Sequence, residues 1–196
     1  MAEQTCRPSV VPSPLPDNAL LRADRSGEAY ADCYVTEVDG AYPLGAFVEA
    51  FYTTALFRLE RALLAVFLAR PSTDSDARQL AQGRSYSFAA WRVEARSEDQ
   101  LLLADFTGRT KSWLMVASLP SAASEARTRL YFGSAVVHRI HAPSGRSSMG
   151  FAFHALLGFH RLYSRLLLRA AGSRLLGSRH AAAPRAGLSA QSRPRR

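Results

Sequence analysis

The chain has 196 residues, 47% of them hydrophobic and 21% charged, which fits one folded domain with appended segments and excludes a chain disordered throughout. Its formal charge of +9 invites a nucleic-acid reading, yet residues 1–148 hold 16 basic against 16 acidic side chains and the excess begins only at Arg161. A neutral body with a basic end does not imply a specific nucleic-acid-binding fold.

In chain order, residues 1–26 contain Pro8, Pro12, Pro14 and Pro16. Each fixes φ and removes a backbone donor, so a mobile arm without regular structure is expected. This segment shows no basic start followed by an apolar run, and Cys6 and Cys33 supply neither a disulfide framework nor a zinc ligand set. A reduced, cytoplasmic protein is the expectation. All basic residues but Lys111 are arginine, a bias that resembles a GC-rich bacterial genome.

Residues 29–39 alternate as a strand. From Leu44 to Ala69 the period becomes helical, with Val48, Tyr52, Ala55, Leu59, Leu63 and Val66 on one side. Pro71 stops that helix, and Ser72 or Thr73 can cap a short one over 74–82 that Gly83 ends. Four strand-like runs follow, over 87–96, 101–106, 111–119 and 128–140, joined by turns short enough to require antiparallel neighbours. A long amphipathic helix is expected from Met149 to Gly172. At about 100° per residue, Ala152, Leu156, Phe159, Tyr163, Leu166, Leu167 and Ala170 share its apolar face, and Arg161, Arg165 and Arg169 share its solvated one. Residues 173–196 read as a basic, disordered tail, leaving 27–172 as the single domain. No run approaches the roughly 20 apolar residues of a membrane-spanning helix.

The helix Leu44–Ala69, the meander Ser87–Ile140 and the closing helix Met149–Ala171 together resemble the helix-grip arrangement of the START-like, or SRPBCC, superfamily. Within them GRTKSWLMV, TRLYFGSAVV and MGFAFHALLGFHRLYSRLLLRA resemble a bacterial family of unknown function. The resemblance implies an α+β fold in which a curved antiparallel sheet wraps a long C-terminal helix, with an apolar cavity between them that takes a small hydrophobic ligand. Five strands are counted where such a sheet has six or seven; a further strand is sought between Ala19 and Glu28.

The bulky residues expected to face that cavity are Trp91, Trp113, Met115, Phe132, Phe159 and Tyr163. His160 and Tyr163, three apart on the helix, form the best candidate pair for holding a polar group or moving a proton. Asp105 is a candidate helper, set against its ordinary use in stabilising a turn. Ser134 reads as a pleat residue, and Arg92, Glu94 and Arg96 as solvated cross-strand charges. Neither His138 with His141 nor His154 with His160 has metal-ligand spacing, and no cofactor motif is present. Two alternatives accompany the ligand-binding expectation. One is a cavity enzyme (cyclase, dehydratase or hydrolase) with His160 as acid or base; the other is an interaction module acting through its basic tail.

Overall fold

The computed structural model describes residues 8–24, 28–120, 126–137 and 151–182. Seven strands form one antiparallel sheet: β1 (Val11–Pro12), β2 (Glu28–Asp39), β3 (Ser87–Phe88), β4 (Trp91–Arg96), β5 (Gln100–Asp105), β6 (Thr110–Leu119) and β7 (Arg127–Val137), in the order β1-β2-β7-β6-β5-β4-β3. Helices α1 (Leu44–Tyr52), α2 (Ala55–Leu68) and α3 (Asp74–Ala81) fall between β2 and β3, and α4 (Phe151–Ala182) closes the described chain. The protein is therefore α+β, with a curved antiparallel sheet and a long C-terminal helix. Among the described residues no helix is long and apolar enough to cross a membrane.

Three boundaries differ from the sequence reading. The helix expected over 44–69 is two helices, because adjacent threonines turn on their own backbone. Thr53 Oγ1 donates to Glu49 O at 2.6 Å, while Thr54 Oγ1 accepts from Phe57 N at 3.1 Å and caps α2. The strand expected over 87–96 breaks where Ala89 takes a left-handed φ of 52°. The last helix does not end at Gly172 but continues to Ala182, so the first ten residues assigned to a disordered tail are helical; residues 183–196 lie outside the described residues. Thr73 does cap α3, in a capping box with Asp76.

The two strands beyond the five counted are β1 in the N-terminal arm and the second strand made by the break at Ala89. The strand sought between Ala19 and Glu28 is not found among the described residues there, where Leu20–Asp24 form a 3-10 turn. Pro8 packs against Gly172 of α4, Val11 and Pro12 pair with Val35 and Tyr34 at the β2 edge, and a 3-10 turn over Leu20–Asp24 follows. Leu21 is fully buried against Gly133. The arm thus begins against α4, runs along the edge strand and ends on the opposite face of the sheet. Of the arm expected to be mobile over 1–26, Pro8 to Asp24 pack against the fold in this way, and residues 1–7 and 25–27 lie outside the described residues.

With both faces covered, the sheet carries two apolar layers. On the helix face Tyr34, Val38, Leu101, Leu103, Leu114, Leu130 and Phe132 join α1, α3 and α4 in the main core. There the rings of Phe51, Tyr52, Phe57, Phe88 and Phe132 touch one another, Phe51 and Phe132 with centroids 4.8 Å apart. On the outer face Cys33, Leu102, Trp113, Met115, Tyr131 and Ala135 pack beneath Ala19 and Leu21 of the arm. Trp113 and Met115 therefore point away from α4, a correction to their expected place beside Phe132. The reason is strand parity: Leu114 lies between them and faces the helices, so its neighbours cannot.

Helix α4 is also rolled from its expected orientation. Ser164, Leu167, Leu168, Ala171 and Leu175 are buried, whereas Leu162 and Leu166 are exposed. Small residues set the approach: a Cβ at Gly172 would stand 3.2 Å from Pro8 Cγ and 3.4 Å from Val38 Cγ1. Close packing there outweighs the burial of Leu166, which the apolar stripe alone would favour.

A polar row and an arginine-lined pocket as the candidate functional site

The register places Ser112 beside Ser134 and Ser134 beside Asp32, a polar row across β6, β7 and β2 on the helix face. Helices stand over it. Tyr52 of α1, fully buried, puts its hydroxyl 3.3 Å from Ser112 Oγ, and burial pushes its phenol well above the ordinary range. His160 of α4 brings Nε2 to 2.6 Å from Ser134 Oγ and 3.9 Å from Asp32 Oδ2, and Ser134 Oγ donates to Asp32 Oδ1 at 2.6 Å.

The proton count fixes the sense of this chain. A serine has one hydroxyl proton. With that proton on Asp32, the His160–Ser134 contact is a hydrogen bond only if Nε2–H donates to Ser134 Oγ. The order is then His160 to Ser134 to Asp32. An acyl-transfer triad differs in that its carboxylate meets the far imidazole nitrogen and its serine gives its proton to the near one. Here serine and carboxylate share the Nε2 side, and Ser134 is not activated as a nucleophile.

Tyr163 does not join His160. Its hydroxyl donates to the Glu60 carboxylate on α2. Burial raises the Glu60 carboxyl above its ordinary 4.5, with the Tyr163 hydrogen bond pulling the other way. Burial first, then the Glu60 charge, raises the Tyr163 phenol. The expected pair is thus split, His160 engaging the sheet and Tyr163 engaging α2.

Of the other candidates, Asp105 stabilises its own turn. Its carboxylate accepts from Thr107 Oγ1 at 2.6 Å, Arg109 N at 2.7 Å and Thr110 N at 3.2 Å. These bonds hold its pKa below the ordinary value against the opposing effect of burial, the largest influence on it. Trp91 is half-buried against the main core, and Phe132 lies within it. Phe159 is on α4, but its side chain lies outside the described residues, as do His138 and His141. Arg92, Glu94 and Arg96 are exposed, as expected of a solvated face, but Glu94 and Arg96 find partners beyond the neighbouring strand. A register shift between Val93 and Ala95 lets Arg96 reach the carbonyls of Leu80 and Ala81 that end α3, at 2.7 Å each. Glu94 meets the buried Lys111 at 2.9 Å. No group of three or more potential metal ligands occurs among the described residues.

Next to the row lies a pocket of about 550 Å³ that the sequence did not announce. It is a half-open cleft where the arm folds over the β2 edge, with Pro12, Ser13, Pro14 and Leu15 on one side and Ala31 to Tyr34 on another. Arg22, Arg161 and Arg165 complete its wall. Asp32 belongs to both features, lining the pocket and accepting from Ser134. Cys33 also lines it, and burial pushes its thiol up to about 12, far from a reactive thiolate. Two signals pointed here: an acid on the strand face shared with Tyr34 and Val38, and two arginines four apart on one helix. The arginines were expected on a solvated face, and Asp32 was given no role. Comparison with protein-family models, with curated proteins and with solved structures finds no match for this chain.

Proposed function

We propose that this chain is a START-like, helix-grip protein that binds a small hydrophobic molecule in the pocket between the arm, the β2 edge and α4. The observation that carries the reading is that pocket: its volume of about 550 Å³ falls within the roughly 300–1,000 Å³ of small-molecule sites. Pro12, Pro14, Leu15 and the Tyr34 ring give it apolar wall. The space between sheet and helices, where such a ligand was first expected, already holds the rings of Phe51, Phe57, Phe88 and Phe132. A ligand there would have to displace them, whereas the arm pocket requires no such rearrangement.

The test is a melting-temperature titration with decanol and decanoate, on the purified chain and on Leu15→Asp, which sets a carboxylate in the apolar wall. Saturable stabilisation of the wild type that is lost in the variant supports the reading. No stabilisation by either compound, or equal stabilisation of both chains, contradicts it.

A second reading, an enzyme on the same scaffold with His160 as acid or base, draws support from the His160–Ser134–Asp32 chain adjoining the pocket. Under it His160→Ala abolishes turnover of a bound ester or enol and leaves the melting temperature nearly unchanged. Retained turnover, or loss of turnover together with unfolding, rejects it.

A further inference from the structure

Among the described residues the pocket wall holds three guanidinium groups and one carboxylate, an excess of positive charge beside the apolar Pro12, Pro14 and Leu15. The three arginines are held in different ways. Arg22 is tied to Asp17 through Nη1, and its buried Nε has no acceptor among the described residues. Arg165 lies over the Tyr34 ring with its guanidinium carbon 5.3 Å from the centroid. Arg161 stands one helical turn before Arg165 and lines the same wall. The one carboxylate present, Asp32, already accepts the Ser134 hydroxyl and has His160 nearby.

A buried N–H without an acceptor is costly, and native structures rarely leave one in place without a use. A guanidinium stacked on an aromatic ring keeps its in-plane N–H groups directed outward, the geometry suited to a planar or tetrahedral oxyanion. The arm carries Arg22 and α4 carries Arg161 and Arg165, so an anion between them would link the two elements that close the pocket.

From these observations we infer that the ligand of this pocket is an amphiphile with an oxyanion head, a carboxylate or a phosphate, clamped by Arg22, Arg161 and Arg165 while its apolar part lies against Pro12, Pro14 and Leu15. The inference rests on the pocket being a ligand site, as proposed above, and adds the charge and chemistry of what it takes. Charge-assisted guanidinium–oxyanion hydrogen bonds are stronger than neutral ones and discriminate by about tenfold in affinity, so a neutral analogue of equal length binds correspondingly less well.

The test is calorimetric titration of the full chain with decanoate, decyl phosphate, decanol and inorganic phosphate. Arg165→Gln and Arg161→Gln are titrated alongside, and circular dichroism melting confirms that each is folded. Both positions are exposed, and Gln keeps helix propensity. The expected result is that at least one of decanoate and decyl phosphate binds about tenfold or more tightly than decanol. Each variant should erase that preference and leave decanol binding unchanged, and inorganic phosphate alone should bind weakly. The tighter of the two anions identifies the head group. Equal binding of decanol and the anions, or a preference that survives both substitutions, overturns the inference and leaves the hydrophobic pocket standing. No binding by any of the ten-carbon compounds overturns both. Inorganic phosphate binding as tightly as decyl phosphate overturns the amphiphile and leaves only an anion site.

Discussion

Around Trp113 the outer face of the sheet is closed by matched partners, whereas the helix face at Asp32, Ser134 and Ser112 keeps a polar row open toward a pocket. On the outer face Gln100 is buried and makes three hydrogen bonds. Its Oε1 accepts from Trp113 Nε1 and Leu20 N, each at 2.9 Å, and its Nε2 donates to Asn18 O at 3.0 Å. A buried amide bonded through both its oxygen and its nitrogen to the arm fixes the arm in one position and adds rigidity. On the helix face the polar groups form a chain ending at a half-exposed histidine, beside a pocket lined by Arg22, whose buried Nε has no acceptor among the described residues. Buried polar residues on the two faces therefore serve different ends, and the number of bonds each side chain completes, rather than burial alone, tells them apart.

The largest effect expected from breaking this contrast is at Trp113. Trp113→Ala removes a fully buried ring and the donor to Gln100, and should cost about 3–5 kcal/mol by urea unfolding. A cost under about 1 kcal/mol would deny the outer face its structural role. Gly133→Ala comes next, since an added Cβ would stand 2.9 Å from Trp113 Cε3 and 3.1 Å from Asp32 O. Overpacking of this kind costs about 1–3 kcal/mol. Because Gly133 lies between the two regions, the same variant should also weaken ligand binding, and an unchanged affinity would show the faces to be uncoupled.

Ser134→Ala should cost about 1 kcal/mol and change the imidazole nitrogen signals of His160 in NMR spectra, since it removes the acceptor of Nε2–H. Unaltered imidazole signals would contradict the assigned sense of the chain. The smallest effect concerns Glu60. Its carboxyl is raised in the folded state, so the folded protein holds that proton more tightly than the unfolded chain does. The stabilising contribution is present below the ordinary value of 4.5 and is lost as pH rises through the raised folded value. The stability of Glu60→Gln relative to the wild type should accordingly rise across the window above 4.5, as measured by denaturant unfolding at a series of pH values. A difference that does not change with pH would place Glu60 in contact with water.

Much of the architecture was legible in the sequence because it depends on local signals. Thr73 before an acidic first turn marked α3, and the short polar turns after Arg96 and Phe106 required an antiparallel meander. The facing of β5 and β6 was not legible. Leu101 to Leu103 and Trp113 to Met115 are buried without alternation because the arm covers the outer face, and a run apolar on both sides carries no record of which side is which. The roll of α4 was hidden because Ser164, Ala171 and Gly172 are buried for closeness of approach, which a search for bulk passes over. His160 was found by its chemistry. Its partners Ser134 and Asp32 were not, since their meeting depends on the pairing of β2 with β7 across about a hundred residues of chain.

The central claim is that ligand enters the arm pocket and not the aromatic layer beneath the helices. A two-dimensional proton–nitrogen NMR titration with decanoate tests it directly. The account predicts saturable shifts in the amides of Leu15, Cys33, Tyr34 and Arg165, with the Trp113 indole signal unmoved. Shifts centred on Phe51, Phe57 and Phe132, or none at all, would contradict it.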